Sequence, residues 1–346
     1  MAKDSPFGQE TRLRILEEYI AHAGEITEAN AWEHVYRCLL WFDIGAKLAH
    51  IYDSNHMQKG GTFHARAVKF TDLLCSNWKI KRSDLPEKLD VLFKGCVAEL
   101  KRREAEEPKT EDKGPDAEIE SELTAAIKTI LQDAGVDSDR AGTLTGQIEV
   151  LSRDYFTIGN KRQNALGEGF EDLLMLLLRR VSHIPEKNFA LRKPVSQLPG
   201  FYKEPPPAEG EKQSRKRQPR PDIAIIDGHI TPLITTAKWS IRQDRETQFQ
   251  SEYSSYTRNK KQEAELRFAL ITNEFDLARL VNVLKAKPGG DGGYIFHTVY
   301  HVCLPMLRET HGDGFKVIEP YVQIGSLKSL SDYLAEMRGR YGESKS

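Results

Sequence analysis

Asp222 follows Pro221 at the head of one β-prone run, and Lys238 lies near the end of the next. A carboxylate on one strand and an amine on its neighbour can converge at one edge of a sheet. That arrangement can hold Mg²⁺ and a water against a phosphodiester. An Asp followed some tens of residues later by a Lys is common, so the pair alone says little. The run Thr235-Thr236-Ala237-Lys238-Trp239-Ser240-Ile241-Arg242-Gln243-Asp244-Arg245 says more, because two arginines and an acid stand directly behind the lysine.

These side chains need elements to position them. Phe170, Leu173, Leu174, Leu177 and Leu178 recur at helical spacing and predict a helix from about Leu166 to Val181. A short strand is expected near Phe189 to Leu191. A break from Gly200 to Arg220 then holds Pro205-Pro206-Pro207 and the basic run Lys212, Arg215, Lys216, Arg217 and Arg220. Asp222 to Ile226 reads as a strand, Asp227-Gly228 as a tight turn, and Ile230 to about Ser240 as the returning strand. A helix from about Glu246 to Lys261, a strand over Leu266 to Ile271 and a helix over Phe275 to Leu284 complete an α-β-β-β-α-β order. Two more strand-like runs, Tyr294 to Val302 and Phe315 to Val322, and a helix from Leu327 to Met337 are expected to extend the sheet or its flank. The fold class is therefore α/β (α+β).

The first hundred residues read as helices. Leu13, Ile15, Leu16, Tyr19 and Ile20 follow helical spacing, as do Val35, Cys38, Leu39, Phe42, Ile44 and Leu48. Ala65 to Trp78 and Leu85 to Leu100 continue the pattern, the latter with Ser83 as expected N-cap. From Glu104 to Glu122 acidic residues crowd around Pro108, Gly114 and Pro115, and so few apolar side chains cannot offset the entropy of ordering. The expected division is a helical N-terminal domain over 1–103, an acidic linker over 104–120 and the site-bearing domain over 121–346.

Composition bounds the rest. The 346 residues carry 50 Lys+Arg against 51 Asp+Glu, a net charge of −1, and are 39% hydrophobic. The longest apolar run, Leu173 to Leu178, falls far short of the roughly 18–20 residues of a membrane span. The polar start Met1-Ala2-Lys3-Asp4-Ser5-Pro6 has no apolar secretory segment, so a cytoplasmic location is expected. Cys38, Cys75, Cys96 and Cys303 lack Cys-x-x-Cys spacing and read as free thiols; with the scattered histidines they give no support for zinc. The Gly-rich turn Pro288 to Gly293 lacks the Gly-Lys-Ser/Thr of a phosphate loop. A charge near zero, taken alone, argues against a simple polyanion binder. The sum hides a division, however, with acid gathered over 104–122 and base at Lys212 to Arg220, Arg242 and Arg245.

The order of elements, with Asp222, Lys238 and the run behind it, resembles the PD-(D/E)XK nuclease superfamily. Within it the chain is similar to the branch of type II restriction endonucleases that read CCGG or related sites, the BsaWI/AgeI-like branch. The superfamily motif has Asp or Glu two residues before the lysine, where this chain has Thr236. In the CCGG branch Ser or Thr takes that place, and the missing carboxylate comes from the following helix, fourteen residues after the lysine, which is Glu252 here. The branch also carries an arginine, an acid and a second arginine at the places held by Arg242, Asp244 and Arg245. The resemblance covers about Gly167 to Asn273 and says little about residues 1–115.

It implies a PD-(D/E)XK core of αβββαβ order with a mixed central sheet, Asp222, Lys238 and Glu252 as catalytic residues, and Asp222 and Glu252 as Mg²⁺ ligands. Carboxylates are the hard oxygen donors that Mg²⁺ prefers. Thr236 shares the strand face of Lys238 and stands as either accessory residue or neutral filler. Gly167-Glu168-Gly169-Phe170-Glu171 resembles the Gly-x-x-Phe-Glu opening of the core helix, which nominates Glu171 ahead of Glu168 as a further metal-site acid. Both can equally be first-turn charges favoured by the helix dipole. Arg242 and Arg245 would read guanines through O6 and N7, with Asp244 accepting from cytosine N4. Arg215, Lys216, Arg217 and Arg220, and Lys161 and Arg162 before the core helix, are candidates for phosphate contacts, or are solvated charges.

The resulting expectation is a Mg²⁺-dependent type II site-specific deoxyribonuclease of a bacterial or archaeal cell, with no organic cofactor and no membrane partner. It would act as a homodimer on double-stranded DNA at a palindromic CCGG-containing site, leaving 5′-phosphates and 5′ overhangs. A repair nuclease of the same fold directed by structure or damage, and a non-catalytic DNA-binding protein, are the alternatives.

Overall fold

The computed structural model describes residues 5–40, 61–106, 161–203, 219–242, 245–261, 265–288 and 293–343. Five helices come first: α1 (Gln9–His22), α2 (Ala31–Leu39), α3 (Thr62–Trp78), the one-turn α4 (Leu85–Lys88) and α5 (Val91–Glu106). A helix over residues 161–180, α6, leads into the strands. These are β1 (Phe189–Leu191), β2 (Ile223–Asp227), β3 (Ile230–Lys238), β4 (Arg267–Thr272), β5 (Thr298–His301) and β6 (Leu327–Ser329). Helices α7 (Arg245–Asn259), α8 (Leu277–Lys285), α9 (Leu304–His311), α10 (Glu319–Gln323) and α11 (Leu330–Tyr341) complete the described elements. The fold is mixed α/β around one six-stranded sheet, and no helix among the described residues is long and apolar enough to cross a membrane.

The strands lie in sequence order. β1, β2 and β3 pair antiparallel, whereas β3 through β6 run parallel. The β2–β3 hairpin turns at Gly228, whose φ of 56° is the left-handed conformation that glycine adopts without strain. Pro232 has no amide to donate, and it sits in β3 beside a register irregularity in β2, one residue before pairing with β4 begins at Leu233. Beyond it Leu233, Ile234, Thr235, Thr236 and Ala237 are all buried, as a strand covered on both faces requires.

Buried residues of the leading helices and of the sheet form one continuous hydrophobic cluster, from Leu16 and Phe70 to Leu270 and Leu334. Edge-to-face aromatic pairs run through it from Phe170 to Trp239, Tyr36, Phe70 and Phe275. Gly169 matters for the seam between α5 and α6, because a Cβ there would lie 2.2 Å from Leu92 Cδ2.

Several expected elements differ: α6 begins at residue 161 and so contains Lys161 and Arg162, which were expected to precede it, and the helix expected from Leu327 starts only at Leu330. The run Phe315 to Val322 is helical, a 3₁₀ turn over Gly312–Val317 followed by α10. Its buried residues Phe315 and Ile318 are spaced three apart, and Pro320 occupies the first turn of α10, where a missing amide does no harm. The sixth strand is instead the short Leu327–Ser329, from which Ser329 caps α11 in a reciprocal box with Asp332. The helix expected over Leu85 to Leu100 is broken at Asp90, whose φ is 63°, and Ser83 bonds Asp84 rather than capping. Of the N-terminal pattern, Phe42, Ile44 and Leu48 lie outside the described residues.

Tyr36 ties α2 to the sheet, its hydroxyl donating at 2.9 Å to Oδ1 of the fully buried Asn273. Tyr36→Phe leaves that oxygen without its donor and should lower stability by about 1–3 kcal/mol. An unchanged urea midpoint in the variant would show that the tie contributes nothing.

Candidate active site

Antiparallel register brings three distant points of the chain to one end of the sheet. Leu191 pairs with Ile223, and Ile223 with Thr235. The residues just past β1, just before β2 and at the end of β3 are therefore Arg192, Asp222 and Lys238. Arg192 donates its amide to the Asp222 carbonyl at 3.1 Å.

Asp222 and Lys238 meet directly. Lys238 Nζ lies 2.6 Å from Asp222 Oδ2, which also accepts the Ala237 amide at 2.8 Å. The second carboxylate oxygen of Asp222 takes part in neither bond. Lys238 Nζ is also 3.9 Å from Glu171 Oε1, so the amine stands between an acid on the strand edge and an acid on α6. Thr236 is buried two residues before the lysine, on the same strand face.

Glu171 is held by Arg192, whose Nε donates to its Oε2. The same guanidinium reaches Asp172 Oδ1 at 2.8 Å and the Glu168 carbonyl at 2.7 Å. Arg192 achieves this in a left-handed conformation, φ 51°, that swings its side chain back over α6. Asp172 is completely buried and is bonded from its other side by Arg12 Nε of α1 at 2.7 Å. Arg12 also pairs with the Glu168 carboxylate at 2.7 Å, so Glu168 faces α1, whereas Glu171 faces the lysine.

Glu252 comes from α7, which links β3 to β4. Its Oε1 accepts from Gln248 Nε2 at 2.6 Å, and the Gln248 carbonyl accepts from Arg245. Tyr256 lies one turn beyond, and burial together with the charges of Glu252 and Asp222 pushes its hydroxyl up from the ordinary value. Burial raises the Glu252 carboxyl, opposed by the Gln248 hydrogen bond. Glu171 is pushed up to about 7, first by burial and then by the charge of Asp222, against the pull of Arg192 and Lys238. Both acids shift upward chiefly because burial disfavours their charged forms, with the charge of Asp222 adding to the effect.

Among the described residues no group of three or more His, Cys, Asp or Glu side chains is placed to hold a metal ion together. The donor chemistry nonetheless suits Mg²⁺, which takes one or two carboxylates and completes its shell with water and phosphate oxygens. Asp222 with Glu252 or Glu171 supplies such a pair.

The segment behind the lysine is mounted on the β4–α8 connection and on α8 itself. Asn273 donates its amide to the Trp239 carbonyl at 2.9 Å, buried Glu274 accepts the Ile241 amide at 2.7 Å, and Arg279 donates to the Ile241 carbonyl at 2.8 Å. Arg242 is exposed immediately beyond, and its carbonyl accepts the Arg245 amide at 3.1 Å. Asp244, Arg215, Lys216 and Arg217 lie outside the described residues; Arg220 is exposed. Lys161 stands over the Phe7 ring at 5.6 Å, and Arg162 is engaged by Asp90 and the Phe93 ring.

Arg12, Asp172, Arg192, Gln248, Tyr256 and Glu274 were not nominated by the sequence reading. One signal was present: the second half of α6 carries a dense apolar run, with Leu173, Leu174, Leu176, Leu177 and Leu178 buried, so Glu171 and Asp172 directly before that run are enclosed acids that need cations. No known protein-family model matches the chain, and no curated protein is significantly similar to it.

Arg12→Met strips the buried Asp172 of the buried one of its two cations, and loss of a buried partner typically removes about 3–5 kcal/mol. A urea midpoint within error of the parent would refute that dependence. Glu171 also generates a pH effect. Its folded value is about 7 against an ordinary 4.5. Within that window the folded chain retains a proton that the unfolded chain has lost, so its contribution is full below the lower value and lost as pH rises through the upper. DNA-free protein should lose stability from pH 5 to 7.5 more steeply than Glu171→Gln. An equal fall in unfolding free energy between the two pH values in both proteins, measured by urea titration, would contradict the assignment.

Proposed function

We propose that the chain is a Mg²⁺-dependent type II restriction endonuclease that hydrolyses both strands of duplex DNA at a palindromic CCGG-containing site. The observation that supports this best is Lys238 set between Asp222 and Glu171, with Glu252 on the helix that follows and Arg242 and Arg245 on the segment between. Four of these six side chains, Lys238, Arg242, Arg245 and Glu252, occur within fifteen residues and carry the chemistry of phosphodiester cleavage and guanine recognition.

Asp222 and Glu252, with Glu171 as a further acid, would hold Mg²⁺. When bound, Mg²⁺ offsets the charge of the scissile phosphate and lowers the pKa of a water. The chain's own groups do the rest. The Lys238 ammonium orients the attacking water and stabilises charge as it develops on the phosphate. Arg192 keeps Glu171 facing the lysine. Thr236 leaves the place beside Lys238 neutral, which limits the acids to those supplied from α6, β2 and α7. Arg242 and Arg245 read the guanines of a half-site and Asp244 the cytosines, while Arg220 and the basic residues before it contact phosphates. A two-fold homodimer matches the palindrome and brings one site to each strand. The products are 5′-phosphate ends with 5′ overhangs, made in the cytoplasm of a bacterial or archaeal cell.

Incubation with Mg²⁺ and plasmids that contain or lack CCGG tests the reading. Discrete fragments only from the former are expected. Lys238→Ala should retain binding to a CCGG duplex while cleavage falls by about a hundredfold or more. Cutting confined to branched or damaged DNA would replace the reading with a repair nuclease, and binding without cutting by the parent chain would replace it with a DNA-binding protein.

A further inference from the structure

We infer that Gln248 is a positioning residue that couples base recognition by Arg245 to the carboxylate of Glu252; this rests on the endonuclease reading above. Arg245, Gln248 and Glu252 stand at positions i, i+3 and i+7 of α7 and so share one helix face. Arg245 Nη1 donates to Gln248 Oε1, and Gln248 Nε2 donates to Glu252 Oε1 at 2.6 Å.

Glutamine alone among side chains of this length has a fixed acceptor at one corner and a donor at the other. Both corners are in use, and this orients the amide. The consequence for Glu252 is that one carboxylate oxygen is pinned by a neutral donor while the other stays clear of that bond. Methionine would supply neither contact. A glutamate would keep the acceptor for Arg245 but face Glu252 with a second negative charge.

The chain of bonds has a direction. Arg245 has further guanidinium donors beyond Nη1, so it can engage a base and still hold the amide. A base pair that draws Arg245 out of place releases the Gln248 carbonyl. The amide is then free to rotate away from Glu252. A wrong base thereby lowers the rate at the scissile phosphate in addition to weakening binding, and the second penalty passes through Gln248.

The test compares the parent chain with Gln248→Met and Gln248→Glu in three measurements. The first is the Mg²⁺ concentration that half-saturates the rise in Tm of DNA-free protein, which needs no catalysis. The second is binding of a CCGG duplex without divalent ions. The third is the ratio of single-turnover cleavage rates on CCGG and on a one-base variant. In both variants the rate ratio should fall about tenfold and duplex binding should stay within about threefold, and in Gln248→Met, which adds no charge beside Glu252, half-saturation should also move up about tenfold. Combining Arg245→Gln with Gln248→Met should cost less than the sum of the two single changes in the rate ratio.

An unchanged rate ratio in either folded variant, or an unchanged Mg²⁺ midpoint in Gln248→Met, would overturn the coupling while leaving the endonuclease reading intact. So would loss of duplex binding in parallel with cleavage, which would make Gln248 a DNA contact. If the parent chain makes no discrete cut in any CCGG plasmid, the endonuclease reading itself fails and the coupling falls with it. Should Gln248→Met not fold, Gln248→Glu on the half-buried helix face carries the same comparison.

Discussion

Antiparallel register among β1, β2 and β3 is the constraint on which the candidate site depends. It converts positions 192, 222 and 238 into neighbours at one end of the sheet. A slip by one residue in either pairing would turn Asp222 or Lys238 to the opposite face. The short hairpin at Gly228 and the continuous burial of β3 make such a slip costly. The parallel half of the sheet has a different role. It forces a crossover between β3 and β4, and the helix that makes the crossover brings Glu252 to the same end.

Around this end lies an alternation of charge from Arg12 to Asp172, Arg192, Glu171, Lys238 and Asp222. Buried ion pairs seldom add much net stability, because desolvation offsets most of the attraction. Their more secure effect is on geometry. Each of the four groups between the two ends of the series has opposite charges on either side, and a rotamer change at one leaves a charge uncompensated at the next. The leading helices thereby become part of the site through Arg12 of α1.

Much of this architecture was legible in the sequence. The hairpin was announced by Asp227-Gly228 between apolar runs, and α6 by its leucines. Asp222 and Lys238 could be placed because period-two alternation is local information. Glu168 and Glu171, midway along α6, were legible as candidates, but Asp172 and its partner were not: Arg12 precedes Asp172 by 160 residues, and no local pattern relates them. The strand expected at Phe315 to Val322 failed for a related reason. A short apolar run fits either period, and the decision fell to Pro320 and to the spacing of Phe315 and Ile318. Arg192 in a left-handed conformation has no signature, since arginine rarely adopts it and nothing in its neighbours demands it.

The mounting of Ile241 bears on how such a chain can change over time. Its amide and carbonyl are both taken by Glu274 and Arg279, and the Trp239 carbonyl two residues earlier is taken by Asn273. Insertion or deletion of one residue here would break buried bonds on both sides of the segment. Replacement of the exposed Arg242 side chain would break none of them. Length is therefore locked at this point whereas side-chain identity one step further on is free, so a lineage can diversify what this edge touches by point substitution alone, without rebuilding the scaffold beneath it.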